Sequence, residues 1–512
     1  MASLKPKNAS GAVLLSKLTK DVFIKNISEA RAAEGDIEHF CFNKSRLRVV
    51  SKTDDLKKNS KGIIYLMSRD CRVEDNWAVL YSQKLALQNK LPLHICVLTK
   101  EFNCLYPTKR HLHFALEGFK EIQKECEVKK IGFHFLKANV KDFVKIVEDN
   151  QIGAVVLDFD PLKKPVEWRN YLKDNLDKNV ALIEVDAHNI VPAWLASEKQ
   201  EVMAKTIRPK ITKQLPEYLT GFPEVCKHNY QGKLDTDKKL KNVDDVYDFY
   251  KPLYDVEIVK WAKPGAEGAY NTLLSFMQER LQYYGISSND PSKNHTSNLS
   301  PWIRFGHIAA QRVALEVKSV EKNCKEQVDK YLEELIVRRE LAENYCFYNS
   351  NYDNINGAAE WARKTLLDHK SDKRVYTYTR DQFEKALTHD EMWNAATLQL
   401  VQEGKIHGYM RMYWCKKILE WTKTPEEAIE IGLWLNDTFS LDGTCPNGFV
   451  GVMWSICCVH DQGWGEREIF GKIRFMVDYS LKRKFNMEAY CARFGRSIGK
   501  TSAKKGVKRK AK

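Results

Sequence analysis

From residue 62 onward the chain alternates between two patterns. Short apolar runs at 63–67, 93–97, 131–136, 154–157 and 181–185 are separated by segments with helical spacing, such as 77–87, 112–125 and 140–150. Strands alternating with helices argue for a parallel sheet covered on both faces. Ligands of such sheets sit beyond the carboxyl ends of the strands. This region has neither G-x-G-x-x-G nor G-x-x-x-x-G-K-[ST], so the usual dinucleotide and nucleoside-triphosphate fingerprints are absent. After residue 266 the strand signal fades. Helical patterns at 269–284, 327–345, 381–403, 408–421 and 425–438 take over. The predicted fold is an N-terminal, Rossmann-like α/β domain with a parallel sheet, followed by an all-helical domain. The expected boundaries are an extension (1–60) with a helix at 21–33 and a strand near 47–50, the α/β domain (61–190), a connector (191–260), the helical domain (261–490) and a basic, disordered tail (491–512). The connector is rich in Lys, Pro and Asp, with weak periodicity. No internal repeat is visible.

Composition narrows the class. The chain has 512 residues, 43% of them apolar, which is enough to bury a core in two or three domains. Apolar runs such as 153–157 and 450–454 fall far short of the roughly 20 residues that a membrane span needs. No apolar signal-peptide core opens the chain, so a soluble intracellular protein is expected. The 13 cysteines are scattered, with no C-x-x-C, and Cys457 and Cys458 are adjacent. They read as thiols of a reducing compartment, and no metal site is expected. The formal charge is +15. It favours an anionic partner, although many basic proteins bind nothing acidic. Seven basic residues and no acid fill 500–512. Such a tail can serve as a nuclear-import signal, as a loose DNA-binding arm or as plain solubilising charge.

The helical half concentrates Trp, His, Asn and Arg. Trp414 and Trp421 are seven residues apart on one helical face, a rise of about 10.5 Å, and Trp393 belongs to the preceding helix. Aromatic residues at such spacing are usually core anchors. A row of indoles can also carry electrons from the surface to a buried redox group, and periodicity does not choose. Arg411, Asp437 and Asp442 are ionisable in apolar surroundings, so an Arg–Asp pair is expected, with a structural salt bridge as the plainer reading. The turn-rich stretch LDGTCPNG (441–448) can reverse the chain or approach a flat ligand. In HTSNLSPWIRFG (295–306), Thr296, Ser297 and Ser300 precede a Pro-Trp helix start. Such a start can bind phosphate, though most bind nothing.

Several longer stretches agree together. They are YLMSRDCRVEDNWAVL (65–80), VDAHNIVPAWLASEKQEVMAKTIRPKI (185–211), residues 295–306, EELIVRREL (333–341), HGYMRMYWCKKILEW (407–421), LND (435–437), LDGTCPNG and MWSICCVHDQGW (453–464). In this order and spacing the chain resembles the class II cyclobutane pyrimidine dimer photolyases of the photolyase/cryptochrome family, from about residue 62 to 490. The resemblance implies an α/β antenna domain and a helical domain holding FAD. It implies light-driven splitting of dimers in UV-damaged DNA by a monomer acting in the nucleus, with a cytoplasmic or mitochondrial fraction compatible. A second pigment of the 8-hydroxy-5-deazaflavin type is implied for the antenna domain. Thr296, Ser297, Leu299 and Ser300 match the segment that grips FAD, and Tyr284 matches an upstream FAD contact. Arg411 and Asp442 resemble the ion pair flanking the flavin ring. Asn436, followed by Asp437, matches the residue facing the ring nitrogen that is protonated on reduction. Trp414, Trp393 and Trp421 match the photoreduction chain, with Trp414 nearest the flavin. On the substrate side, Glu334 matches the carboxylate that bonds the dimer's bases, Trp454 the aromatic wall and Met412 the methionine touching the rings. Arg338 departs from the pattern, because some members carry a second aromatic wall there. Trp464 matches a residue that fills the gap left by the flipped dimer, and Lys472 and Arg474 are phosphate contacts by charge and position.

Three rivals remain in view at this level. A cryptochrome would share fold and flavin, but Glu334, Met412 and Trp454 argue for repair, as does the short segment after Tyr490. A photolyase for the (6-4) lesion relies on paired histidines. His460 is present, but no His-x-x-x-His occurs. A damage-binding protein without flavin is opposed by Asn436, Arg411 and Asp442.

Overall fold

The computed structural model describes residues 18–498; most of the expected basic tail, from residue 499, lies outside them, as does the start of the extension. Seven strands form one sheet: β1 (Leu47–Val49), β2 (Gly62–Leu66), β3 (Leu93–Leu98), β4 (Gly132–Leu136), β5 (Ile152–Asp158), β6 (Ala181–Val185) and β7 (Lys239–Leu240). Their order is β1-β6-β5-β2-β3-β4-β7. The five central strands run parallel. All but β4 of these are buried along their whole length, because helices cover both faces.

The two edges differ from the predicted parallel sheet. β1 pairs antiparallel with β6, and β7 pairs antiparallel with β4. β1 falls at the strand expected near 47–50, while β7 comes from the Lys-rich connector and is too short to show periodicity. The connector also holds a helix, Ala204–Tyr218. Its buried residues Ala204, Ile207, Ile211 and Tyr218 keep one face, while the internal Pro209 and Pro216 blur the pattern in the sequence.

Between β2 and β5 the strand order reverses, which opens a crevice beyond their carboxyl ends. Asp158 closes the floor of that crevice. Its carboxylate accepts hydrogen bonds from Tyr65 Oη at 2.6 Å and from the Ser68 and Arg69 amides at 2.9 and 2.8 Å.

The C-terminal half is helical, as the spacing predicts. Gly408–Trp421 and Pro425–Phe439 fall where expected. The predicted helix at 381–403 is instead two, Arg380–Glu384 and Glu391–Glu403. Ala386 takes a left-handed backbone (φ 53°), and the Asp390 carboxylate caps the second helix through the Met392 and Trp393 amides. Two other long helices contain a π-helical turn, at Phe276–Arg280 and at Glu333–Arg338. Such turns add a residue and re-aim the side chains on them.

Buried charge ties the parts together. Arg31, from the first described helix (Lys20–Ala33), and Arg312, from Ala310–Ser319, both grip Asp75 at 2.8–2.9 Å. Asp75 is 1% exposed. Burial pushes its carboxyl up, but the two guanidinium groups outweigh this and hold it far below the usual range. Asp75→Ala should therefore cost about 3–5 kcal/mol in urea or thermal unfolding, because two buried cations lose their partner. The depressed folded value means that Asp75 stabilises the fold above the unfolded carboxyl pKa of about 4 and loses this contribution as pH falls below it. Asp75→Asn should flatten that part of the acid limb of the stability profile.

Candidate functional site

The helical half encloses a cavity of ≈ 530 Å³. Its inner end is polar. Thr296, Ser297 and Ser300 reach it from the loop that starts the helix Ser300–Arg304, and Tyr284 reaches it from Leu281–Ser287. Lys405 enters from the loop before Gly408–Trp421, where its ammonium donates to Thr296 Oγ1 at 3.2 Å and to Asn298 Oδ1. Burial pulls its pKa down to about 8, against the pull of Asp442 and Glu403. Hydroxyls and a buried cation of this kind suit an anion such as a diphosphate. Leu299 is fully buried and does not line the cavity. Lys405 is missing from the sequence reading, since a lone lysine in a loop carries no periodic signal.

The second side of the cavity carries the expected ion pair. Arg411 Nη2 stands 3.6 Å from Asp442 Oδ1. Burial raises the Asp442 carboxyl, but Arg411 and the hydroxyls of Ser440 and Ser300 outweigh it and hold the group ionised. Asn436 and Asp437 lie behind the cavity lining, in Pro425–Phe439. Asp437 Oδ1 accepts from the Thr444 amide and from Asn436 Nδ2, both at 2.9 Å. Those bonds orient the Asn436 amide and leave its Oδ1 buried without a protein partner among the described residues. A Cβ on Gly448 would come within 2.9 Å of Asn436 Nδ2, so a larger residue there would push the Asn436 amide from its position. Arg411 Nε is likewise buried and unpartnered. The hydroxyl and lysine cradle, with these free polar atoms around a cofactor-sized space, fits FAD.

The three tryptophans form one contiguous row. Trp414 and Trp393 stack with ring centroids 5.9 Å apart and planes 9° off parallel. Trp393 meets Trp421 at 5.9 Å and 64°. Thr397 Oγ1 accepts from Trp414 Nε1 at 2.9 Å, and the Trp414 carbonyl accepts from Trp393 Nε1 at 3.0 Å. Trp421 borders a separate outer cavity beside Tyr376 and His389. The row thus runs from the helix that carries Arg411 and Met412 toward the surface, and all three indoles are buried. Packing and conduction are compatible in this geometry.

Glu334, Arg338, Met412 and Trp454 line the other part of the same cavity. The π-turn Glu333–Arg338 presents both Glu334 and Arg338 to it. Burial raises the Glu334 carboxyl, opposed by Arg338 and assisted by Glu333. Arg338 is half exposed, with Nε 3.5 Å from Glu333, which Arg208 of the connector helix also grips at 2.7–2.9 Å. Trp464, Lys472 and Arg474 do not line the cavity. They form a surface cluster, in which the Arg474 guanidinium lies 4.7 Å from the ring centre of Trp464 and the Lys472 carbonyl accepts from the Trp464 amide at 2.8 Å.

Two further cavities sit at the carboxyl ends of the strands. One is lined by Leu66, Val97, Leu98, Phe102, Leu157 and Trp168. Its neighbour, of ≈ 320 Å³, lies between the sheet and the helical half beside Tyr106, Lys163, Arg304 and Tyr352. Arg304, His188 and Cys445 form the wall between this neighbour and the main cavity.

Known proteins resemble most of the chain. Residues 63–227 match the family model described as DNA photolyase. The deoxyribodipyrimidine photo-lyase of Potorous tridactylus is 48% identical over 476 residues, which cover 90% of this chain and 86% of that protein. Its counterpart in Arabidopsis thaliana is 42% identical, covering 87% and 91%. The one in Methanothermobacter thermautotrophicus is 37% identical, covering 84% and 94%. Among solved structures, a class III photolyase from Agrobacterium tumefaciens aligns with a TM-score of 0.62 at 14% identity, over 87% of this chain and 88% of that one. An archaeal photolyase from Sulfolobus tokodaii, which holds two FAD molecules, aligns with a TM-score of 0.63 at 17% identity, over 84% and 89%. These two support the fold of an α/β domain joined to a helical one; the closer relatives settle the lineage, and the chain belongs to the DNA photolyase family.

Proposed function

We propose that this chain is a deoxyribodipyrimidine photo-lyase of the class II type, which repairs cyclobutane pyrimidine dimers in UV-damaged DNA under light. The observation that carries the reading is one cavity with two chemically distinct parts, in a chain 48% identical to a photo-lyase over 90% of its length. The inner part, with Thr296, Ser297, Ser300, Lys405 and Arg411, holds FAD. The outer part, with Glu334, Met412 and Trp454, receives the dimer. A dimer inside a duplex cannot reach such a cavity, so it is flipped out, at less cost than a sound base step. Reduced FAD, when bound, supplies the light absorption and the electron that opens the cyclobutane ring.

The remaining work belongs to the protein. Trp454 offers a face for the pyrimidine rings to rest on. Glu334, kept protonated to higher pH by burial, donates a hydrogen bond to a pyrimidine carbonyl and steadies the charge that develops there. Asn436 faces the flavin ring, oriented by Asp437. Trp421, Trp393 and Trp414 carry electrons inward. Trp464 fills the space vacated in the duplex, while Lys472 and Arg474 hold phosphates; such contacts supply affinity without sequence preference. Residues 61–190 form the antenna domain, 191–260 the connector and 261–490 the catalytic domain. An 8-hydroxy-5-deazaflavin pigment fits the paired cavities at the strand ends. The enzyme acts as a monomer in the nucleus.

The deciding experiment compares dimer removal from DNA in light and in darkness, alongside an absorption spectrum of the purified protein. Repair only in light by a flavin-bearing protein is expected, and equal repair in darkness would overturn the reading. Trp393→Phe should abolish light-driven reduction of enzyme purified with oxidised FAD while pre-reduced enzyme still repairs. Loss of both would make the indole a core anchor alone. For pre-reduced wild-type enzyme, repair should decline as pH rises through the elevated Glu334 value, because the donated proton is lost. Glu334→Gln, which always keeps a donor, should be slower at low pH and flat across that range.

A further inference from the structure

The cavity holds one side chain that the mechanism above leaves unused. His460 follows the helix Pro446–Cys457, in a stretch where Cys458 and His460 both take left-handed backbone, with φ of 58° and 62°. Such a conformation persists only where the surroundings over-determine it. Here they do. The imidazole stands edge-on to Tyr345, with centroids 5.6 Å apart at 80°. The backbone of Glu201 faces its other side and raises the imidazole's pKa against the effect of burial. The Glu201 segment is itself pinned. Its amide donates to Asn344 Oδ1 at 2.7 Å, and the Asn344 amide nitrogen donates to the Lys199 carbonyl at 3.0 Å.

The Glu201 side favours one tautomer. In a neutral imidazole one nitrogen carries a proton and the other a lone pair. Burial, with Arg338 adding, brings the His460 pKa down to about 4, so the ring is neutral near pH 7. Nε2 is buried and has no protein partner among the described residues, so the nitrogen turned to the Glu201 backbone, where a proton is favoured, is Nδ1. Nε2 is therefore a bare acceptor in the wall that also carries Glu334, Arg338 and Trp454.

On that wall Arg338 only donates, whereas His460 Nε2 is a buried polar atom left without a protein partner among the described residues. Each ring of a thymine dimer carries an N3–H, a donor that must find an acceptor once the dimer leaves water. We propose that His460 Nε2 accepts the N3–H of one pyrimidine of the flipped dimer, and so selects thymine or uracil over cytosine, which has no proton at N3. The proposal rests on the photo-lyase reading of the cavity. The N3–H is present before and after the ring opens, so the contact acts on binding and leaves the splitting step unchanged.

The test uses FAD-loaded, pre-reduced enzyme and duplexes with one thymine dimer, either unmodified or methylated at N3 of a single ring. Dissociation constants are measured in darkness and single-turnover repair at saturating DNA in light. His460→Asn keeps the left-handed backbone and a polar group on the Glu201 side but removes the Nε2 position. It should bind the unmodified dimer about tenfold more weakly, the loss expected for one buried hydrogen bond, with the saturated repair rate unchanged. Methylation of one of the two rings should weaken wild type and add nothing in His460→Asn. His460→Gln, whose amide oxygen reaches the vacated place, should recover part of the affinity. If methylation at either ring weakens wild type and His460→Asn equally, the assignment is wrong. If wild type does not prefer dimer DNA to undamaged DNA, or does not repair it in light, the photo-lyase reading itself falls and takes the assignment with it.

Discussion

Buried arginines hold this molecule together. The sheet and the helical half do not meet through apolar contact alone. Arg46 reaches the carbonyls of Ile190 and Tyr218 and the amide of Gln311, and Arg69 bonds Glu343 at 2.6 Å. Arg110 bonds the carbonyls of Glu257, Val401 and Phe439. A guanidinium has five donors in a fixed fork and cannot shed its charge cheaply. Once buried, it tolerates only the arrangement in which those donors are met. Breaking such a group away from its partners costs more than the pair adds to stability. These residues therefore specify one placement of the halves more than they strengthen it.

That placement decides where the cavities fall. Glu343, which bonds Arg69, lines the main cavity, and Arg69 lines its neighbour at the strand ends. Arg304 stands between the two, held by the carbonyls of Leu105 and Gly443 at 2.6 and 3.0 Å. Glu340, one turn before Glu343, accepts from the Ile190 amide at 2.7 Å and ties the same helix to the segment after β6. The π-turn that aims Glu334 and Arg338 immediately precedes this helix. Substrate chemistry and interdomain register thus share one continuous piece of chain, and a shift of the halves would move the side chains that meet the dimer.

The sequence made part of this legible. The parallel strands and Gly408–Trp421 follow from local periodicity, because each buries a face that repeats at its own spacing. The apolar run near 47–50 marks β1 but not its antiparallel pairing, and β7 leaves no mark, since two residues cannot express a period. The break at Ala386 and the π-turns are equally silent, because a single left-handed residue or one inserted residue leaves the apolar pattern almost intact. At the site, charge in apolar surroundings leaves Asp437 and Asp442 both open as partners of Arg411; the resemblance points to Asp442, and the fold sets that pair 3.6 Å apart. The motifs placed the tryptophans, but only the fold shows Trp393 lying between Trp414 and Trp421. Lys405 and His460 were invisible as site residues. Each is a lone polar residue in a loop, and its meaning comes from what the backbone brings beside it.

Some of the buried polar atoms that lack a partner among the described residues belong to the site. They include Arg411 Nε, Asn436 Oδ1 and His460 Nε2, and Arg280 Nε joins them beside the Ser297 carbonyl. Each forgoes hydration that a folded chain normally replaces with an internal bond. Lys405 gives up more, as its pKa near 8 records. These particular costs fall at or beside one cavity, on residues from helices and loops far apart in sequence. Groups desolvated in advance meet a ligand of matching polarity without further reorganisation, which is the condition for strong electrostatic effects in a site. The arginine-built interface allows this, because a frame over-determined by its own buried charges can hold a few polar atoms unpaired where a looser frame would collapse to satisfy them.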